Sequence, residues 1–155
     1  YDTPESQFYE RMTKTDRKVV DDIFEELNGQ EPCKILTIAY GFNRSHLDAF
    51  RESMLEYCEG KMDVCFSCNE YLEFMPAGIN KGNSIRWMCE YLGISIENTI
   101  AVGDAENDIT MLKAAGIGAV MKNANDDIKQ YGNYITEKDN NEAGVAEVIE
   151  KFMLH

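Results

Sequence analysis

With 155 residues, 44% of them hydrophobic and 28% charged, the chain can bury a core and has the composition of an ordinary globular protein. Its formal charge of −13 argues against nucleic acid or an anionic membrane as partner, because phosphate backbones need a basic face. No apolar run approaches the roughly 18 residues of a membrane span. The five cysteines, an odd number, fit a reducing compartment better than a disulfide framework, so a cytoplasmic location is expected.

In chain order, a polar stretch precedes a helix expected over residues 16–28. There Val19, Val20, Ile23, Phe24 and Leu27 mark an amphipathic face and Asp21-Asp22 lie on the wet side. Gly29 and Pro32 break it before a strand over 33–40. A second helix, 46–59, starts at His46, turns Leu47, Phe50, Met54 and Cys58 inward and stops at Gly60. Strands over 62–68 and 71–76 follow, joined by Asn69-Glu70 as a hairpin turn. Helices on a mostly antiparallel sheet make residues 1–77 an α+β lobe. Cys65-Phe66-Ser67-Cys68 has C-x-x-C spacing, but its surroundings alternate as a strand does, where positions i and i+3 face opposite ways. The pair is therefore not expected to chelate or to close a redox loop. Neither His46 nor His155 has a second histidine near it in sequence, so neither suggests a metal site.

The pattern changes near Pro76. Asn80-Lys81-Gly82-Asn83 opens a helix whose Ile85, Met88, Cys89 and Leu92 follow the i, i+3, i+4, i+7 spacing. Then come a strand at 99–103, a helix at 107–115, a strand at 117–121, a helix near 125–130 and a strand at 133–136. A final helix carries Val145, Val148, Ile149 and Phe152. This alternation gives residues 78–155 a parallel, doubly wound sheet, so the fold class is α/β with an attached α+β lobe. Trp87, Tyr71, Phe74 and Tyr91 stand at helical or strand spacing and are expected in the core.

The most informative segment is AVGDAENDITML, residues 101–112. Gly103 permits a sharp exit from a buried strand, Asp104 sits at the strand's carboxyl end, and Asn107 and Asp108 lie where the next helix begins. Open α/β sheets bind ligands at that edge. A hard cation takes oxygen ligands and keeps several waters, so one or two carboxylates plus phosphate oxygens suffice to hold it. Lys81, on the preceding helix, can reach the same edge and neutralise an aspartate or hold a phosphate as a point charge.

The run from Glu73 to Leu154 resembles the C-terminal half of a haloacid dehalogenase (HAD) superfamily phosphatase. It includes Pro76-Ala77-Gly78-Ile79-Asn80-Lys81-Gly82, IAVGDAENDITMLKAAGIGAVMKNA, Tyr134-Ile135-Thr136 and Gly144-Val145-Ala146. The likeness is greatest to the Cof-type sugar-phosphatase branch with a C2-type cap. It implies that residues 1–77 are a cap lobe and 78–155 the C-terminal half of a HAD core, half of a Rossmann-like sheet. It also implies Mg²⁺ as cofactor and a small phosphorylated metabolite as substrate. Lys81 would be the motif III lysine, catalytic and phosphate-binding. Asp104 would be a magnesium ligand, and Asp108, also assigned to the metal site and to catalysis, the acidic partner that orders the metal's waters or the lysine. Asn107 and Asn123 would contact phosphate. Ala105 and Lys122 stand where the family favours glycine.

The family's nucleophile, from an Asp-x-Asp motif that forms a phosphoaspartyl intermediate, has no counterpart in these residues, and the first is Tyr1. The expectation is a C-terminal part of a longer protein, inactive alone. It would leave an open edge at 99–103, with Ile109 and Leu112 bared to a missing N-terminal fragment or to a second copy. Two other readings stay open: the phosphorylation domain of a P-type ATPase, which shares the Gly-Asp-x-x-Asn-Asp turn, and a non-catalytic binding module of the same fold.

Overall fold

Two hydrophobic periods divide the chain. In the computed structural model, which describes residues 2–39, 41 and 44–154, Tyr1–Ala77 and Gly78–His155 form separate compact units.

The first unit contains α1 (Pro4–Thr13), α2 (Ile23–Leu27), β1 (Ile35–Ile38), α3 (Arg44–Cys58), β2 (Met62–Cys68) and β3 (Tyr71–Pro76). The strands form an antiparallel sheet in the order β1-β3-β2. Every second residue of the hairpin turns to α3, so Phe66, Leu72 and Phe74 bury with Leu47 and Cys58, and Met54 and Val64 pack against them. Each such large side chain removed from water contributes about 1.5–3 kcal/mol.

The N-terminal region departs from the expectation. The stretch read as polar is the helix α1, started by Thr3 and Ser6 in a reciprocal cap, with Pro4 in its first turn. The helix expected over 16–28 shrinks to α2, because Asp22 is its N-cap and accepts from Phe24 N at 2.7 Å. Residues 14–22 instead run as a strap. Arg17 holds it by donating to Asp2, Ser6 and Glu10, each at 2.7 Å. The first strand is also shorter than expected, and its proposed end, Tyr40, lies outside the described residues, as does His155.

The cysteine geometry differs as well. A bulge between Phe66 and Cys68 sets Cys65 opposite Glu73 and Cys68 opposite Tyr71. Those partners are two residues apart on β3, so the extra residue returns Cys68 to the face of Cys65. Neither cysteine forms a disulfide, and Cys68 is held above the usual thiol range, chiefly by burial.

The second unit contains α4 (Lys81–Leu92), a 3₁₀ turn at Ile96–Asn98, β4 (Ile100–Gly103), a 3₁₀ turn at Glu106–Asp108 and α5 (Ile109–Ala114). Then follow β5 (Ile117–Val120), α6 (Asp126–Lys129), β6 (Tyr134–Ile135) and α7 (Gly144–Met153). Its sheet is parallel throughout, in the order β4-β5-β6, as the alternation of elements requires. Leu112, Val120, Ala124 and Ile128 form its core, with Ile109 packed on it, and Val148 is the inward residue of α7.

Two expectations about this core are corrected. Ile109 and Leu112 are not a bared patch, since α5 lays them on β5, which is present. The exposed patch lies on α4, where Trp87 (61% exposed) and Tyr91 (74%) stack with ring centroids 5.4 Å apart, flanked by exposed Met88 and Leu92. Of the helix's expected inner stripe only Cys89 is fully buried. Val145 and Ile149 of α7 are likewise exposed.

Candidate active site

The site assembles from three segments that end at the carboxyl edge of the parallel sheet. β4 delivers Asp104 immediately after Gly103. A side chain at position 103 is excluded, because a Cβ there would lie 2.4 Å from that of Asp108. The missing side chain lets the Asp108 carboxylate fold back under the turn. Its Oδ2 accepts from Asp104 N at 2.9 Å and Ala105 N at 3.2 Å, so a buried carboxylate is satisfied by the backbone it braces. Its Oδ1 accepts from Lys81 Nζ.

Lys81 is the first residue of α4, where Asn80 is the N-cap and accepts from Asn83 N at 2.9 Å. Thr110 completes the placement. Its Oγ1 accepts from Gly82 N at 2.9 Å, and Gly82 lies so close to α5 that a Cβ would stand 2.5 Å from the Thr110 carbonyl oxygen. Lys81 thus pairs directly with Asp108 and reaches Asp104 only through it. Its side chain stays half exposed, leaving part of the ammonium open to a ligand.

Asp104 is oriented from the other side. Asn123, in the loop after β5, donates from Nδ2 to Asp104 Oδ2 at 2.8 Å and accepts at Oδ1 from Asn140 N at 3.0 Å. Asp104 Oδ1 accepts from no described residue. Asn107 lies in the 3₁₀ turn, half-buried, and its side chain bonds to no described residue. Lys81, Asp104, Asp108 and Asn123 are therefore linked by contacts, and Asn107 shares the turn with its amide unengaged. Thr110 and Asn140 were invisible to sequence reasoning, since a threonine on a helix and a backbone N–H in a loop carry no pattern.

The donor set suits a hard cation. Asp104 offers an open carboxylate oxygen. Among the described residues no three of His, Cys, Asp and Glu converge. A cation held by Asp104 must complete its shell from water and phosphate oxygens, the habit of magnesium.

The loop between β6 and α7 is clamped by Glu147. Its carboxylate accepts from Tyr134 Oη, from Glu137 N and from Lys138 N at 2.5–3.1 Å. The Tyr134 bond chiefly, and then the backbone N–H groups, hold Glu147 below the ordinary carboxylate range, while Glu147 pushes Tyr134 up to about 12. The carboxylate's contribution is present above its ordinary value and lost as pH falls through the lowered one; the phenol's persists until pH rises through about 12.

A family description of haloacid dehalogenase-like hydrolases matches residues 1–149. The chain belongs to that family. It is 36% identical over 118 residues to a 5-amino-6-(5-phospho-D-ribitylamino)uracil phosphatase of Bacillus subtilis, covering 76% of this chain and 47% of the relative. It is 45% identical over 76 residues to a phosphoglycolate phosphatase of Methanobrevibacter smithii, covering 49% and 32% respectively. Its fold matches a haloacid dehalogenase-like hydrolase of Bacteroides thetaiotaomicron with a TM-score of 0.76 at 32% identity, over 96% of this chain and 54% of that one. A sugar phosphatase of HAD subclass IIB shares the fold, with a TM-score of 0.72 at 24% identity over 85% of this chain and 47% of that one. The chain thus spans about half the length of the Bacillus relative and of the Bacteroides structure. No described helix is long and apolar enough to cross a membrane.

Proposed function

We propose that the chain carries the electrostatic half of the active site of a magnesium-dependent phosphomonoesterase acting on a small phosphorylated metabolite. The observation that carries this reading is the set of contacts Lys81–Asp108–Asp104–Asn123 at one sheet edge, ending in an open carboxylate oxygen. Two relatives named for different substrates, a ribityl phosphate and phosphoglycolate, share the phosphate monoester and little else. That favours a site that reads the phosphoryl group first.

Lys81 would bind a phosphoryl oxygen while Asp108 holds its ammonium in place, and the free amide of Asn107 would donate to a second oxygen. Magnesium on Asp104 would supply Lewis-acid stabilisation of the charge that develops on the phosphoryl oxygens. With the chain's net charge at −13, both cations are needed to make the site attractive to an anion. The attacking aspartate of a phosphoaspartyl mechanism is not among these residues, so the 155-residue chain alone should turn over no phosphomonoester. The test is phosphate release from a panel of small phosphomonoesters by the polypeptide of the full reading frame, with and without magnesium. Release abolished by chelation and by Asp104→Ala supports the reading. Equal release from Asp104→Ala, or turnover by the 155-residue chain above that variant, overturns it.

The partner implied for the isolated chain follows from its open surfaces. Among the described residues β4 pairs with β5 alone, and α4 adds the exposed Trp87, Met88, Tyr91 and Leu92. Unpaired edges and apolar patches recruit partners. The chain is expected to bind an N-terminal fragment that supplies the neighbouring strand, or failing that a second copy. Light scattering should show mass rising with concentration, and Trp87→Ser with Tyr91→Ser should reduce it. A strictly monomeric wild-type chain that ignores such a fragment would count against both.

A further inference from the structure

The amide of Asn123 is held at both ends, and the two ends are not equivalent. A backbone N–H can only donate, so the bond from Asn140 N fixes the Asn123 carbonyl towards the loop after β6. The NH₂ end must then face Asp104, where it meets Oδ2 at 2.8 Å. One Asp104 oxygen is taken and the other is left for a ligand.

What holds Asn140 in place is a lock between two loops. Thr136, at the end of β6 and only 3% exposed, accepts from Lys122 N at 2.9 Å and donates to the Lys138 carbonyl at 2.6 Å. One hydroxyl thus ties the residue before Asn123 to the segment leading to Asn140. The same segment is braced by Glu147 on Glu137 N and Lys138 N, and by Asp139, whose Oδ1 accepts from Asn141 N at 2.7 Å and Glu142 N at 2.9 Å.

We propose that Asn123 and Thr136 are positioning residues for Asp104: Thr136 locks the two loops in register, Asn140 N–H sets the sense of the Asn123 amide, and that amide aims the carboxylate. This differs from a direct phosphate contact by Asn123, and it rests on the reading that Asp104 takes a divalent cation. Outer partners of metal ligands typically change metal affinity by about 10–100-fold when removed.

The experiment uses the 155-residue chain in four forms: wild type, Asn123→Ala, Thr136→Val and Thr136→Ser. Two readouts are taken on each. Magnesium alone is titrated by calorimetry, and exchange and chemical shift of the Asn123 side-chain amide protons are followed by ¹⁵N NMR in the absence of metal, with Asp104→Ala as control. The expected result is magnesium affinity lowered about tenfold or more by Asn123→Ala, lowered in the same direction by Thr136→Val, and restored by Thr136→Ser. In the metal-free chain one Asn123 amide proton should exchange slowly, and Asp104→Ala or Thr136→Val should release it. Unchanged magnesium affinity in Asn123→Ala, together with weaker binding of inorganic phosphate, would show a phosphate contact and overturn the proposal. Should wild type bind no magnesium, the metal reading of Asp104 falls, and the positioning claim is judged on the amide alone. Fast exchange in wild type, or no response to Thr136→Val, then overturns it.

Discussion

On the proposed function, Asp108→Asn is expected to lower phosphate release about 10²–10³-fold, the usual effect of removing one electrostatic element of a preorganised site, while the fold survives. Asparagine can keep its oxygen under Asp104 N and Ala105 N, so the turn stays braced. Its NH₂ group then faces the Lys81 ammonium, donor against donor, and Lys81 leaves its place. Asp108→Ala differs in kind. It strands two backbone N–H groups in a half-buried turn and should cost about 1–3 kcal/mol of stability besides. Denaturant unfolding of the two variants, set beside their rates, separates the roles. An asparagine variant that unfolds as readily as the alanine one would mean that Asp108 serves mainly to hold the turn, and that Lys81 is placed by something else.

Much of the second unit is legible because its two periods differ sharply. The short apolar run at 100–103 and the i, i+3, i+4 spacing of α4 admit one reading each, and the order of elements then dictates a parallel sheet. The acidic turn is legible for the same reason, since carboxylates at the end of a buried strand have no role in a core. Illegible were contacts settled by distance in space. Nothing local shows that Lys81 pairs with Asp108 and meets Asp104 only through it, or that Arg17 straps residues 14–22 to α1. The bulge that puts Cys65 and Cys68 on one face is one extra residue in an unbroken alternation, which the alternation itself conceals. The buried side of α4 depends on α5, which takes the Gly82 side and leaves Trp87 and Tyr91 outside, and the apolar pattern is broad enough to permit either roll.

That roll makes Gly82→Ala a damaging conservative change at the site. Added to the helix as it stands, the methyl carbon would lie 2.5 Å from the Thr110 carbonyl oxygen and 2.7 Å from its carbon, both backbone atoms that cannot swing aside. α4 must lift from α5 by an ångström or so to admit it. Overpacking of this kind costs about 1–3 kcal/mol, and lifting breaks the Gly82 N to Thr110 Oγ1 bond of 2.9 Å that holds the first turn. Lys81 is the residue before Gly82, so its ammonium is carried off Asp108 by the same movement. A displacement of that size at a reacting group can lower rate about 10²-fold. Thr110→Val removes the hydrogen bond without adding bulk in the contact, and should cost about 1 kcal/mol with a smaller loss of rate. The comparison isolates the steric part. Gly82→Ala should be the worse in both unfolding and phosphate release, and a Gly82→Ala protein with wild-type stability and rate would show that α4 can shift without moving Lys81, contrary to the placement derived from its first turn.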